Sequence, residues 1–309
     1  MSKILVSEYL PDEYLDLLRT RHEVVYEPDL CTDRSRLLPQ MAGVEALFTR
    51  NRTRVDEELI AAAPDLRVLG RLGVGLDNID VNGCERAGVQ VIPASGENAV
   101  SVAEYVIGAM LVVVRGVFGM TPSMIAGQWP RQGHAFGHEL LGKTIGLVGY
   151  GSIARQVAKR AAGLGMEVIA HDPFVPDDDR AWGNVRSVDL ETLLASADVI
   201  SLHVPLADGT RNLIDSHALK RMKPTAVLIN TSRGGIVDEA SLAEALLDGK
   251  LGGAALDVFA SEPLGVGPAA VFAGVPNLLL TPHVAGNTRE SVDRVARAIV
   301  EKVMAALGG

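Results

Sequence analysis

Cysteine is nearly missing from this chain. Two occur in 309 residues, Cys31 and Cys84. That is too few for a disulfide framework, and no Cys/His spacing suits zinc, so no metal ligands are assigned and a cytoplasmic, reducing compartment is expected. Aromatic residues are scarce at 4%, which argues against stacking platforms for single-stranded nucleic acid. Positive charge is outweighed. Lys and Arg number 29 against 38 Asp and Glu, for a net charge of -9, so no broad basic surface is available for a nucleic-acid backbone. Long apolar runs are absent too. The longest, residues 105–114, lies between Glu104 and Arg115. It is about half the length that spans a bilayer, so it reads as a buried helix and no membrane partner is expected. The N-terminal apolar stretch turns acidic at Glu8, too early for a secretory leader.

Hydrophobic residues make up 48% of the chain, charged residues 22%, and glycines number 32. These values fit a globular α/β protein with small-residue cores. The length suggests two domains, at roughly 150 residues each. In the first hundred residues, Val- and Leu-rich runs at 3–7, 23–27, 44–48, 66–72 and 89–92 read as strands, with a helix at 11–19. Strands alternating with helices imply a parallel sheet covered on both faces. A long helix follows at 100–115, then a stretch to residue 142 without clear periodicity beyond Ala126. A second α/β series begins at Lys143. Its strands are expected at 144–149, 167–171, 198–203, 226–230, 253–257 and 278–281, and its helices at 152–164, 189–195, 215–222 and 239–247. Residues 288–307 place Val292, Val295, Ile299, Val303 and Leu307 at three- and four-residue steps, the pattern of an amphipathic helix.

Gly149-Tyr150-Gly151-Ser152-Ile153-Ala154 follows an apolar strand and opens a helix. The first glycine makes the tight turn, and the second lets backbone approach a pyrophosphate at the helix N-terminus. The small Ala154 allows close helix–strand packing. An acidic residue is expected about 20 residues on, at the end of the next strand, and Asp172 stands there. Its carboxylate would accept from ribose hydroxyls and repel a 2′-phosphate. With Pro173 and Phe174 following and no arginine beside them, NAD is expected over NADP.

Several further pieces carry a family resemblance. They are Gly70-Arg71-Leu72-Gly73-Val74-Gly75-Leu76-Asp77-Asn78-Ile79-Asp80, the segment from Asn98 to Glu104, His203-Val204-Pro205-Leu206 and Asn230-Thr231-Ser232-Arg233-Gly234-Gly235. Leu256-Asp257-Val258-Phe259 with Glu262-Pro263, and Thr281-Pro282-His283, complete them. In this order the chain resembles the D-2-hydroxyacid dehydrogenases over nearly its whole length. The resemblance implies two Rossmann-like domains of parallel sheets flanked by helices, with the active site in the cleft between them. A substrate domain would comprise residues 1–98 and 284–309, and an NAD-binding domain 99–283. Gly149, Gly151, Ser152, Ile153, Asp172, His203, Val204, Pro205, Thr231, Asp257 and Val102 would line the cofactor. Val74, Gly75 and Asn98 would face the substrate. The resemblance also implies a homodimer through the 100–115 helix and the loop after it, where Trp129 and Phe136 could anchor the interface or pack within the chain.

Hydride transfer to a 2-keto acid needs a cation for the carboxylate and a proton donor for the developing alkoxide. Arg233 suits the first, because a guanidinium grips a carboxylate as a fork. His283 suits the second, since imidazole shuttles protons near neutrality. Glu262 would orient that ring and favour its protonated form. The resemblance assigns these residues the same roles. Formate dehydrogenases are similar but carry Gln in place of this acid, so Glu262 argues against that chemistry.

Phe48-Thr49-Arg50-Asn51-Arg52-Thr53-Arg54 runs from an apolar strand into three arginines at alternating positions. They would share one face if the extended backbone continued. Arg52 resembles the residue that, paired with one matching Arg50, meets the substrate phosphate in 3-phosphoglycerate dehydrogenases. The expected substrate is therefore a small 2-hydroxy or 2-keto acid with a second anionic group, such as 3-phosphoglycerate or sulfolactate. Arg131 and His134 could extend that pocket. Hydroxypyruvate/glyoxylate reductase is the nearest alternative, and an NAD-sensing scaffold or corepressor without turnover is the alternative of another class.

Overall fold

The computed structural model describes residues 1–131, 137–176 and 178–308, and it divides into two compact units. One comprises Met1–Asn98 and the segment from Asn287 onward; the other is Ala99–Gly286. The return to the first unit therefore falls at Asn287, three residues beyond the expected 284. The cause is local. The backbone N–H groups of Val284 and Ala285 donate to the Asp257 carboxylate at 2.9 and 2.8 Å, which ties both residues to the second unit.

The first unit holds a five-stranded parallel sheet. Its strands are β1 (Lys3–Val6), β2 (Glu23–Tyr26), β3 (Ala46–Thr49), β4 (Val68–Arg71) and β5 (Gln90–Pro93), in the order β2-β1-β3-β4-β5. β3 and β4 are buried along their whole length, as a parallel strand covered on both faces must be. On one face the helix Arg289–Gly308 lays Val295, Ile299 and Val303 against Ile4, Phe48 and Val68. On the other, Leu37, Met41, Leu59 and Cys84 pack against Leu5, Leu47 and Leu69. Short helices Arg34–Gln40, Glu57–Ala61 and Val81–Arg86 supply that second layer. None is long enough to show a helical period in sequence, yet Asp33, Asp56 and Asp80 cap them.

The second unit holds a seven-stranded parallel sheet. It comprises β6 (Thr144–Val148), β7 (Glu167–His171), β8 (Arg186–Ser187), β9 (Val199–Leu202), β10 (Val227–Asn230), β11 (Gly253–Leu256) and β12 (Leu278–Leu280). Their order is β12-β11-β10-β9-β6-β7-β8. The register is level at the carboxyl ends: His171 pairs with Val148, Val148 with Leu202, Leu202 with Asn230, Asn230 with Leu256 and Leu256 with Leu280. The next residues therefore emerge as one row, Asp172, Gly149, His203, Thr231, Asp257 and Thr281. Chain order reverses between β6 and β9, the kind of switch point where open α/β sheets bind ligands.

Helix Ala99–Arg115 is buried through Val106, Met110 and Val113 against Ile145, Leu147 and Ile229. Ahead of Ala126, where clear periodicity was expected to end, Thr121–Ile125 forms a helix with Pro122 in its first turn. No single helix among the described residues is long and apolar enough to cross a membrane. His134 and Phe136 lie outside the described residues.

Candidate active site

The Gly149–Ser152 turn is built by steric necessity. Gly149 has φ +88°, and a Cβ there would stand 2.6 Å from the carbonyl oxygen of His203. No side chain other than hydrogen fits. Gly151 then caps helix Ser152–Gly163 in extended backbone with no side-chain hydrogen bond to the first turn, and a Cβ on it would meet open space. First-turn N–H groups thus face an opening, which suits an anion at the positive end of the helix dipole. Ala154 is fully buried in the core beneath. Ser152 is exposed and Ile153 half-buried at the mouth of the turn.

Asp172 sits directly after β7. Its Oδ2 accepts the Tyr150 N–H at 2.8 Å, and its Oδ1 accepts the Phe174 N–H at 3.0 Å. The carboxylate thereby ties the glycine turn to the next strand end. Two buried polar atoms in the same row have no hydrogen-bond partner: His203 Nε2 and Thr231 Oγ1. Burial pushes the His203 pKa down to about 3, so its ring is neutral. Unpaired buried donors and acceptors are costly, and a bound polar group would relieve both. These features fit a dinucleotide lying along the row. Val204, half-buried, and Pro205, exposed, follow His203. Val102 is buried within helix Ala99–Arg115.

The other end of the row brings Arg233, Glu262 and His283 together from the segments after β10, β11 and β12. Gly234 makes this possible. A Cβ at that position would stand 1.8 Å from the Phe259 carbonyl oxygen, so the Arg233 loop rests directly on the backbone that leads to Glu262. Asn230 shapes the loop from within: its Nδ2 donates to the Arg233 carbonyl at 2.9 Å, and its Oδ1 accepts the Ser232 N–H at 3.0 Å. Arg233 Nη1 donates to the Ser232 carbonyl at 2.6 Å. Glu262 Oε1 accepts the Phe259 N–H at 3.0 Å, and Oε2 lies 2.7 Å from His283 Nδ1. Burial alone would raise the Glu262 pKa. The hydrogen bonds from His283 and Phe259 and the nearby charge of Arg233 outweigh it and hold the carboxyl below its ordinary range.

His283 adopts φ +55°, a left-handed conformation rare outside glycine. Its N–H is held by the Asp257 and Thr281 carbonyls at 2.8 and 3.1 Å. Asp257, 1% exposed, supports the same turn with its side chain. Its Oδ1 accepts from Thr281 Oγ1 at 2.6 Å and Val284 N at 2.9 Å, and its Oδ2 accepts from Ala285 N at 2.8 Å. Sequence reading placed Asp257 toward the cofactor. The structure gives its carboxylate to the His283 turn, because three donors of that turn converge on it.

In the five-stranded sheet, Arg50 and Arg52 follow β3 and Val74 and Gly75 follow β4, again at carboxyl ends. The expected shared face of Arg50, Arg52 and Arg54 is not formed. β3 stops at Thr49, and the Glu8 carboxylate curls the next residues around itself, accepting from Arg50 N at 2.8 Å, Thr53 N at 2.9 Å and Thr49 Oγ1 at 3.0 Å. Arg54 turns to Asp56 at 3.3 Å. Arg50 reaches Asn287 Oδ1 at 3.2 Å, and the Arg52 guanidinium has no hydrogen bond or ion pair among the described residues. Val74 is exposed. The Gly75 carbonyl accepts from Arg71 Nε at 2.9 Å. Asn98 Oδ1 is buried without a partner. Glu8 was not singled out from sequence. The signal was an acid two residues behind the apolar run of β1, at the sheet's carboxyl edge.

Comparison with known proteins adds three findings. Residues 107–285 match the family model described as D-isomer specific 2-hydroxyacid dehydrogenase, NAD binding domain. The chain is 54% identical to (S)-sulfolactate dehydrogenase of Chromohalobacter salexigens, over 100% of this chain and 99% of that one. It is 40% identical to D-3-phosphoglycerate dehydrogenase of Archaeoglobus fulgidus, over 98% of this chain but only 56% of the relative. Among solved structures it superposes on D-lactate dehydrogenase from Aquifex aeolicus, complexed with NAD and lactic acid. There the TM-score is 0.87 at 26% identity, covering 100% and 96% of the two chains.

Proposed function

Because the chain belongs to the D-isomer specific 2-hydroxyacid dehydrogenase family, we propose that it transfers hydride between NAD and a small 2-hydroxy acid carrying a second anionic group, sulfolactate or 3-phosphoglycerate. The observation that carries this reading is the meeting of Arg233, Glu262 and His283 at three neighbouring strand ends, in line with the glycine turn.

When bound, NAD supplies the acceptor for the hydride that leaves C2 of the hydroxy acid. Arg233 grips the substrate carboxylate and polarises the adjacent C2 oxygen. With Nδ1 held by Glu262, His283 presents Nε2 to the C2 hydroxyl and takes its proton as the carbonyl forms. In the reverse direction it returns that proton to the alkoxide. Glu262, ionised below the usual carboxyl range, stabilises the imidazolium formed in between. Asp257 keeps the ring in place through the turn it collects. The first-turn N–H groups after Gly151 hold the pyrophosphate. Asp172 accepts from the ribose hydroxyls and disfavours a 2′-phosphate. His203 and Thr231 would supply hydrogen bonds to the bound dinucleotide, and Val102, Val204 and Pro205 would line it. Arg50 and Arg52 take the second anionic group, with Val74, Gly75 and Asn98 beside it.

A homodimer accompanies this reading. Trp129 is 75% exposed and Ile125 83% exposed on the segment after helix Ala99–Arg115, an apolar surface that a second copy would cover.

The test is a side-by-side measurement of initial rates with NAD against sulfolactate, 3-phosphoglycerate, glycerate and lactate. Turnover is expected to be fastest on the first two. Equal or faster turnover of lactate would remove the second anionic group from the reading.

A further inference from the structure

We infer that the Glu8 carboxylate selects the charge of the substrate's second anion, favouring a singly charged sulfonate over a doubly charged phosphate ester. The inference rests on the reading that Arg50 and Arg52 receive that anion.

Glu8 stands two residues beyond the end of β1 and is 5% exposed. Its Oε1 accepts from the backbone N–H groups of Arg50 and Thr53 at 2.8 and 2.9 Å, and from Thr49 Oγ1 at 3.0 Å. The Arg52 N–H lies 3.3 Å from both of its oxygens. Ser7 Oγ and Thr53 Oγ1, 2.9 Å apart, close the loop from the side. Backbone N–H groups converging in a loop after a strand form the concavity with which proteins hold oxyanions. Here an internal carboxylate already fills it.

Two consequences follow for a ligand at this loop. The first concerns donors. The amides of residues 50, 52 and 53 are taken, so an incoming oxyanion is left with guanidinium groups. Those of Arg50 and Arg52 form no ion pair among the described residues, whereas Arg34 and Arg54 both pair with Asp56. The second concerns charge. Two guanidinium cations and one buried carboxylate leave a net charge of one, which a sulfonate neutralises. A phosphate ester carries about -1.5 to -2 at pH 7, with its second ionisation near pH 6. The excess is repelled by the buried Glu8 carboxylate. Glu8 acts electrostatically on Arg50 and Cys31; Tyr9 acts on the same Arg50, and Arg52 and Asp29 act on the same Cys31, whose thiol is pushed up by burial.

The experiment compares (S)-sulfolactate with (R)-3-phosphoglycerate. Both present hydroxyl, carboxylate and side arm in the same sense around C2; the labels differ because sulfur outranks oxygen. In Glu8→Gln the ratio of kcat/KM for the phosphate ester to that for the sulfonate should rise about tenfold, mainly through KM, because one opposing unit charge is removed. Glu8→Asp, which keeps the charge, should retain the original ratio. An unchanged ratio in Glu8→Gln, or an equal rise in Glu8→Asp, overturns the inference. Should Glu8→Gln fail to fold, the unaltered protein gives a second measure. Its phosphate-to-sulfonate ratio should climb as pH falls from about 7.5 to 5.5 and the ester gains a proton, and a flat ratio overturns the inference. If the unaltered protein turns over neither compound, the reading of the arginine loop fails first and takes this one with it.

Discussion

Asp257 and Glu8 occupy matching places in the two sheets. Each is a buried acid next to the carboxyl end of a parallel strand, and each collects donors from a loop that leaves a neighbouring strand. The side chains they position differ. Around Asp257 the polar groups are engaged with one another: His283 holds Glu262, and Arg233 acts on the same carboxyl. Around Glu8 the guanidiniums of Arg50 and Arg52 form no ion pair among the described residues, and Arg50 bonds the Asn287 amide instead. On the proposed reading His283 moves a proton and needs fixed partners, whereas Arg50 and Arg52 choose a ligand and need an unmet charge. One architectural device therefore serves two ends, and the division of labour between the sheets can be challenged directly.

The largest effect should come from the seven-stranded sheet. Arg233→Ala and His283→Gln should each lower kcat/KM by about 1,000-fold, by the same factor for sulfolactate and for glycerate. The NADH dissociation constant, read by fluorescence titration, should change less than about threefold because neither side chain holds the cofactor. A loss that depends on the substrate's side arm would break the comparison. Next in size is Arg52→Ala. Losing one charge-assisted contact should cost about 1.5–3 kcal/mol, or roughly 10- to 150-fold in kcat/KM, on dianionic substrates only. Full activity retained on all of them would remove Arg52 from substrate binding. The smallest effect concerns stability. His203 titrates near 3 when folded and near 6.5 when unfolded, so the unfolded chain binds the extra proton between those values. The stability of keeping the ring neutral is complete above about pH 6.5 and is lost as pH falls toward 3, at up to about 1.4 kcal/mol per pH unit. The urea midpoint of the unaltered protein should therefore fall more steeply with acid than that of His203→Gln. Parallel curves would show that the ring is not shielded.

Much of this was legible in the residues. The Val- and Leu-rich runs marked their strands within a residue or two, and the Glu167–His171 strand and Glu239–Leu247 helix fell as expected. A strand covered on both faces must be apolar throughout, so the signal is strong. The two-residue β8 and the short helices of the first unit were not legible, because five to seven residues cannot display a helical period. Among site residues, Arg233, Glu262 and His283 announced themselves by chemistry and by motif. Glu8 and the true partners of Asp257 did not. Their donors come from backbone amides more than 20 residues away in sequence, and a backbone amide leaves no mark in the letters of a chain. The arginine run misled for a related reason: alternation predicts one face only while the strand continues, and Glu8 ends it.

The contact of Gly234 with the Phe259 carbonyl leaves no slack between two loops that carry different tasks. If Arg233 anchors the acid and Glu262 and His283 relay the proton, as proposed, a nudge to one is transmitted to the other. Evolution or a designer seeking a new substrate would find this end of the molecule rigidly geared. On the same proposed reading the arginine loop, held by the side chains of Glu8, Ser7 and Asn78, is where such retuning can proceed without stopping the machine.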